Sequence, residues 1–124
     1  MAAYEQIGNV GSGTNGATPL VAHTGVRYVA GVLVACAAGT KAVGIVKNAA
    51  AANATGVAFT RCVPGEQLVL STGGVLADDY LIWTAAGCLT FQAGGAGSTV
   101  LDANVVAQAR TAPDANGRLW AYFF

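Results

Sequence analysis

Charged residues are scarce in this chain. Six Lys+Arg and six Asp+Glu make up 10% of its 124 residues, the formal net charge is zero, and there is one histidine. A soluble domain ordinarily carries about 25% charged residues. Because the few basic residues are balanced by as many acidic residues, the chain lacks the excess of positive charge that binding to DNA or RNA requires. We therefore expect no nucleic-acid partner.

Long apolar runs are absent as well, although 54% of the residues are hydrophobic. None approaches the ~18–20 residues that a membrane-spanning helix needs, so we expect no membrane partner. The first residues, Met1-Ala2-Ala3-Tyr4-Glu5, carry neither the basic nor the apolar region of a secretory signal. We therefore expect a protein that is made in the cytoplasm of its host.

Cysteine and histidine are too few and too scattered for a metal centre. Cys36, Cys62 and Cys88 lack CxxC spacing, and His23 is the only histidine, whereas structural zinc takes four clustered ligands. We interpret the cysteines as buried thiols and His23 as a surface or interface residue. Nothing converges on a nucleophile or a carboxylate pair, so we expect no enzyme activity, no cofactor and no small-molecule substrate.

The N-terminal region differs in composition from the rest. Glycine, serine, threonine and asparagine dominate residues 8–16, which predicts a flexible arm over residues 1–18 and a single all-β domain over residues 19–124. Tyr4, Ile7 and Val10 are the side chains of this arm that could anchor it, so we take them as candidate partner-binding residues. A frayed terminus is the alternative interpretation.

From residue 19 onward, short apolar runs recur between glycine-rich turns. This pattern predicts a small β-sandwich or barrel with an extended glycine-rich N-terminal arm. Residues 48–54 form an alanine run with no apolar stripe, which we interpret as a loop or a single turn. The predicted strands cover residues 19–23, 31–36, 42–46, 57–63, 67–72, 80–84, 88–91, 104–110 and 119–124.

The last predicted strand is apolar on both faces. Side chains alternate across a strand, so its large residues divide into two sets of three. A strand of this kind lies in the centre of a sandwich or at a subunit contact, and we take the second set as candidate subunit-packing residues. The first set is Leu119, Ala121 and Phe123, and the second is Trp120, Tyr122 and Phe124.

Several turns are marked by their residues. Pro64-Gly65-Glu66 predicts a turn from which residues 67–72 return, and Ala85-Ala86-Gly87 and residues 113–117 predict two hairpins. Lys41 is expected at a tight hairpin between two apolar strands. Swinging-arm domains that carry lipoyl or biotinyl groups also present a lysine on a β-turn, so a carrier domain stays open as an alternative.

The order of these motifs resembles that of the small capsid decoration, or cement, proteins of tailed bacteriophages. The resemblance covers residues 21–124. It is carried by Gly65-Glu66 before an apolar strand and Gly73-Gly74-Val75, then by Asp79 before an apolar strand and Ala86-Gly87, and finally by the Val/Ala-rich residues 105–109 before the last strand.

The resemblance implies a non-enzymatic structural role. Proteins of this family bind the outer surface of the capsid and reinforce junctions between major capsid subunits, often as trimers. It therefore implies the major capsid protein and further copies of this chain as partners, a homotrimer, and a location on the exterior of the virion. The alternative within the same class is another virion β-module, such as the base of a head fibre or a tail-associated protein.

Overall fold

The computed structural model describes residues 10–61, 64–71, 74–90 and 104–124. Within these ranges the chain is all-β and contains no helix, as the sequence predicted, and nothing in them could cross a membrane as a helix. The strands are β1 (Val10–Gly13), β2 (Thr24–Val29), β3 (Val32–Ala35), β4 (Gly44–Val46), β5 (Val57–Arg61), β6 (Gly65–Leu70), β7 (Tyr80–Thr84), β8 (Gly87–Thr90), β9 (Ala107–Ala109) and β10 (Arg118–Phe123).

The strands form two five-stranded antiparallel sheets, consistent with a small β-sandwich. Sheet 1 has the order β1-β5-β4-β2-β3, and sheet 2 has the order β6-β10-β9-β7-β8. Each sheet is therefore built from one continuous half of the chain. The two predicted hairpins are confirmed, since β7 pairs with β8 across Ala85-Ala86 and β9 pairs with β10 across residues 110–117.

Sheet 2 curls around a core in which small side chains make room for a large one. Trp83 is fully buried and stacks on Phe123, with ring centroids 5.7 Å apart and planes inclined by 25°. Ala107, Ala109 and Ala121 are all fully buried in the same cluster. An isolated bridge between Ser71 and Cys88 brings the ends of the two edge strands together, so the sheet is partly closed.

A second core lies on one face of sheet 1. Strand residues such as Leu33 and Phe59 pack there under two loops, which contribute Leu20 and Ala50. The backbones of Leu20 and Ala50 exchange hydrogen bonds of 2.8 and 3.0 Å. The buried Asn15 holds the same loops together, because its Nδ2 donates to the carbonyls of Thr18 and Ala51. The alanine run is therefore a loop, as predicted.

The other face of sheet 1 meets sheet 2 around the Trp83 indole. Ile45 is fully buried in the sheet 2 core, and Gly25 lies directly against the indole. A Cβ atom added at Gly25 would lie 2.7 Å from Cδ2 of Trp83. The absence of a side chain at this position therefore sets how closely the sheets approach.

Two sequence predictions about local structure are wrong. The strand expected over residues 19–23 is displaced to β2, and Leu20 forms only an isolated bridge, because this apolar residue closes the loop core and not a sheet. Gly65 and Glu66, which were expected in a turn, are the first residues of β6, and the chain does not return to its own sheet there, since β5 belongs to sheet 1 and β6 to sheet 2. Turn residues indicate a bend in the chain, but they do not determine with which strand the following strand pairs.

The described part of the predicted arm belongs to the sheet. Val10 pairs with Thr60 and Gly13 with Val57, so β1 is an edge strand of sheet 1. Asn15, further along, is buried at 1% exposure. Tyr4 and Ile7 lie outside the described residues, so an arm that extends from the domain is confined to residues 1–9 as a prediction.

Substitution of Gly25 tests the contact between the sheets. We expect Gly25→Ala to lower the free energy of unfolding by about 1–3 kcal/mol, because the new methyl group must displace a rigid, fully buried indole. Urea unfolding measures this. The matched control is Gly16→Ala, where the nearest atoms to an added Cβ are 3.4 Å away, an ordinary contact. Equal stabilities for the two variants would contradict the packing described for Trp83.

Candidate interaction surface

Strand β10 presents its two faces to different surroundings. Leu119, Ala121 and Phe123 are buried in the sheet 2 core, whereas the alternating residues Trp120, Tyr122 and Phe124 are 49%, 40% and 55% exposed. The sequence prediction that these two sets of side chains lie on opposite faces of the strand is therefore confirmed. Three large apolar side chains in one row on the outer face of a sheet are unusual for a soluble domain, where such patches mark contact with a partner.

A fourth aromatic residue extends this row across the sheet. The Phe124 ring lies 6.3 Å from that of Tyr80 and 6.3 Å from that of Tyr122, measured between centroids. Tyr80 on β7 and Tyr122 on β10 both pair with Gln108, which places them in one row across three strands. We call Tyr80, Trp120, Tyr122 and Phe124 the aromatic face.

The rings of the aromatic face are not coplanar. The planes of Tyr80 and Phe124 are inclined by 55°, and those of Tyr122 and Phe124 by 62°. Such tilted contacts are favourable between aromatic rings and leave a surface of ridges and hollows.

One ion pair crosses the aromatic face, because Glu66 on β6 and Arg110 directly after β9 lie on opposite sides of β10. Arg110 Nε lies 3.0 Å from Glu66 Oε2, and the guanidinium carbon lies 5.7 Å from the centroid of the Tyr122 ring. Because both charged side chains are about half exposed, the pair contributes little to stability. The face therefore combines exposed aromatic rings with one ion pair over Tyr122 and with Gln108 between Tyr122 and Tyr80.

Of the candidate anchor residues, the structure describes Val10 alone, and Val10 lies apart from this face. Val10 is 44% exposed on β1 in sheet 1, whereas the aromatic face lies on sheet 2. Tyr4 and Ile7 precede the described residues. The structure therefore brings Trp120, Tyr122 and Phe124 together on one surface and places Val10 elsewhere.

His23 connects the two sheets. Its backbone N–H donates to Val46 in sheet 1 at 2.6 Å, and its carbonyl accepts from the N–H of Leu70 in sheet 2 at 2.9 Å. Its ring is half-buried, and Nδ1 has no hydrogen-bond partner. Burial, reinforced by the positive charges of Arg118 and Lys47, lowers the pKa of His23, while a hydrogen bond to the Leu68 backbone partly opposes this.

Lys41 does not occupy a tight hairpin. Strands β3 and β4 are not neighbours, because both pair with β2, so residues 36–43 form a crossover. The geometry that suggested a swinging-arm carrier is therefore not found.

The cysteines that the structure describes are buried. Cys36 and Cys88 are both fully buried, and Cys62 lies outside the described residues. Burial raises the pKa of Cys36, although a hydrogen bond with Thr40 and the charge of Arg27 act in the opposite direction. Among the described residues no three histidine, cysteine or acidic side chains are grouped so that they could hold a metal ion.

No protein-family model and no curated protein matches this chain.

The lowered pKa of His23 predicts a pH-dependent stability. The unfolded state takes up the proton first as the pH falls through about 6.5, so the free energy of unfolding decreases over that range. Urea unfolding at several pH values between about 5 and 8 measures this change. In the variant His23→Asn, which tolerates the positive φ of 65° at this position, the decrease over this range should be absent. An unchanged pH profile in that variant would assign the effect to other groups.

Proposed function

We propose that this protein is a structural component of a bacteriophage virion, which binds the outer surface of the capsid and joins neighbouring major capsid subunits as a homotrimer. The observation that carries the proposal is the aromatic face, an exposed apolar surface on a chain with very few charges. The order of turn motifs, which resembles that of capsid decoration proteins, supplies the identity of the partner. In this role the protein has no catalytic activity.

The aromatic face supports contact between copies of the chain. Complete burial of a large apolar side chain contributes about 1.5–3 kcal/mol, and about half of that is still available for Trp120, Tyr122 and Phe124. Three such side chains per copy give several kcal/mol before the cost of association. Because association itself costs about 4–15 kcal/mol, further contacts between the copies must add to this gain.

The N-terminal residues support contact with the capsid. Tyr4, Ile7 and Val10 supply large apolar side chains among glycine and small polar residues, so the backbone between them can follow a neighbouring surface. A trimer would present three such segments, and linked weak contacts bind far more tightly than any one of them. A neutral chain is also suited to a lattice, because many identical copies can lie close together without electrostatic repulsion.

Polar substitutions on the aromatic face test the trimer. We expect Trp120→Thr with Tyr122→Thr to raise the dissociation constant between copies roughly 10- to 100-fold, since each threonine removes about 1 kcal/mol of apolar burial and still favours a strand. Sedimentation velocity over a range of concentrations measures this. The matched control is Leu76→Ser, which changes a residue that is 67% exposed outside the face. A wild-type chain that sediments only as a monomer would overturn the trimer.

Substitution of the anchor residues tests capsid binding. We expect Tyr4→Ala with Ile7→Ala to weaken binding to undecorated capsids at least tenfold, because the capsid contact loses two apolar side chains. Cosedimentation with the capsids gives the bound fraction. Asn9→Ala, in the same segment, should bind as the wild type does. Full binding by the double variant would remove these residues from the contact.

A further inference from the structure

Two asparagines of this chain are followed directly by glycine, Asn15 by Gly16 and Asn116 by Gly117. In such a pair the backbone nitrogen of the glycine can attack the side-chain amide carbon of the asparagine, since glycine has no Cβ to hinder the approach. The attack requires a side chain that can turn toward this nitrogen and an N–H that leaves its hydrogen bond. The fold meets these requirements differently at the two pairs.

The fold holds Asn15 in place. It is 1% exposed, and its Nδ2 donates hydrogen bonds of 3.1 and 2.8 Å to the carbonyls of Thr18 and Ala51. The N–H of Gly16 donates to the carbonyl of Leu33 at 2.9 Å, beside the isolated bridge that joins Asn15 to β3. Rotation of the side chain would break two hydrogen bonds in the loop-covered core of sheet 1. Asn15 is therefore protected for as long as the chain is folded.

Asn116 lies on the surface, in the turn between β9 and β10. Its backbone N–H donates to Asp114 Oδ1 at 2.8 Å, but none of the described residues forms a hydrogen bond with its side chain. The N–H of Gly117 donates to the carbonyl of Asp114 at 3.0 Å, within the same turn. A turn of this kind opens at a much lower cost in free energy than the core, because few buried apolar contacts are lost. The side chain and the nucleophile are thus available in the folded protein.

We propose that Asn116 is a site of spontaneous deamidation in the folded protein and that Asn15 is protected until the chain unfolds. The Gly117 nitrogen forms a bond to Cγ of Asn116 and loses its proton, and the side-chain amide leaves as ammonia, which closes a succinimide ring. Water then adds to either ring carbonyl, and the C–N bond there breaks to give aspartate or isoaspartate. Water is the only co-reactant. The reaction belongs to the isolated chain, so it does not depend on the capsid function.

The reaction changes the turn that leads into β10. Hydrogen bonds from the N–H groups of Arg118 and Asn116 hold the pKa of Asp114 below its usual range, so this carboxylate is ionised at neutral pH. An aspartate at position 116 adds a second negative charge beside it. An isoaspartate also lengthens the main chain by one methylene group, directly before the strand that carries most of the aromatic face. Both products therefore weaken the hairpin of β9 and β10.

Peptide mapping of the full chain tests this site. Trypsin cuts after Arg110 and Arg118 and releases residues 111–118, in which Asn116 is the only asparagine. Mass spectrometry detects the mass increase that accompanies replacement of the amide by a carboxyl group, and fragmentation locates it in the peptide that contains Asn15. After incubation of the folded protein at mildly alkaline pH, we expect Asn116 to convert at least about tenfold faster than Asn15, because only Asn116 reacts without global unfolding.

Incubation in urea separates the effect of the fold from that of the sequence. Both asparagines precede glycine, so we expect their rates to become similar in the unfolded chain. Asn116→Gln is the matched control and should leave residues 111–118 unmodified, because a glutamine must close a larger ring. An Asn116 that converts no faster than Asn15 in the folded protein would overturn the proposal. An Asn15 that stays unmodified in urea would also overturn it, because its protection would then not come from the fold.

Discussion

Accommodation of the Trp83 indole is the constraint on which the rest of this structure depends. The ring is too large for a narrow five-stranded sheet unless its neighbours are small, and the chain provides buried alanines around it and a glycine where sheet 1 approaches. The small residues at these buried positions therefore have a structural cause. Alanine and glycine are used where backbones and one large ring must lie close together, and larger side chains there would separate the sheets.

The packing of this core also shows that only one of the two apolar faces of β10 is needed inside the domain. Its inner face supplies only Leu119, Ala121 and Phe123 to the core, so the core is complete without its outer face. Trp120, Tyr122 and Phe124 are therefore not required for packing within the domain. The proposed association between copies rests on this row of exposed aromatic side chains, since such patches are typical of interaction surfaces.

The local pattern of residues predicted most strands and the two true hairpins. It also predicted which β10 side chains point outward, because a period of two fixes the faces of a strand. The local pattern gave wrong predictions where the structure depends on residues that are distant in the sequence. Gly65 and Glu66 begin a strand of the other sheet, and Lys41 lies on a crossover, because packing of the whole core determines which strands pair. Tyr80 joins the aromatic face only through the register with Gln108, which no local pattern contains.

The division of the sheets along the chain has a consequence for synthesis. The described strands of sheet 1 all come from residues 10–61, and the described residues of its loop-covered core come from the same half. Sheet 2 needs Cys36 and Ile45 from the first half to fill its interior. Because the first half leaves the ribosome before the second, the interior of sheet 2 closes on residues that have already been made.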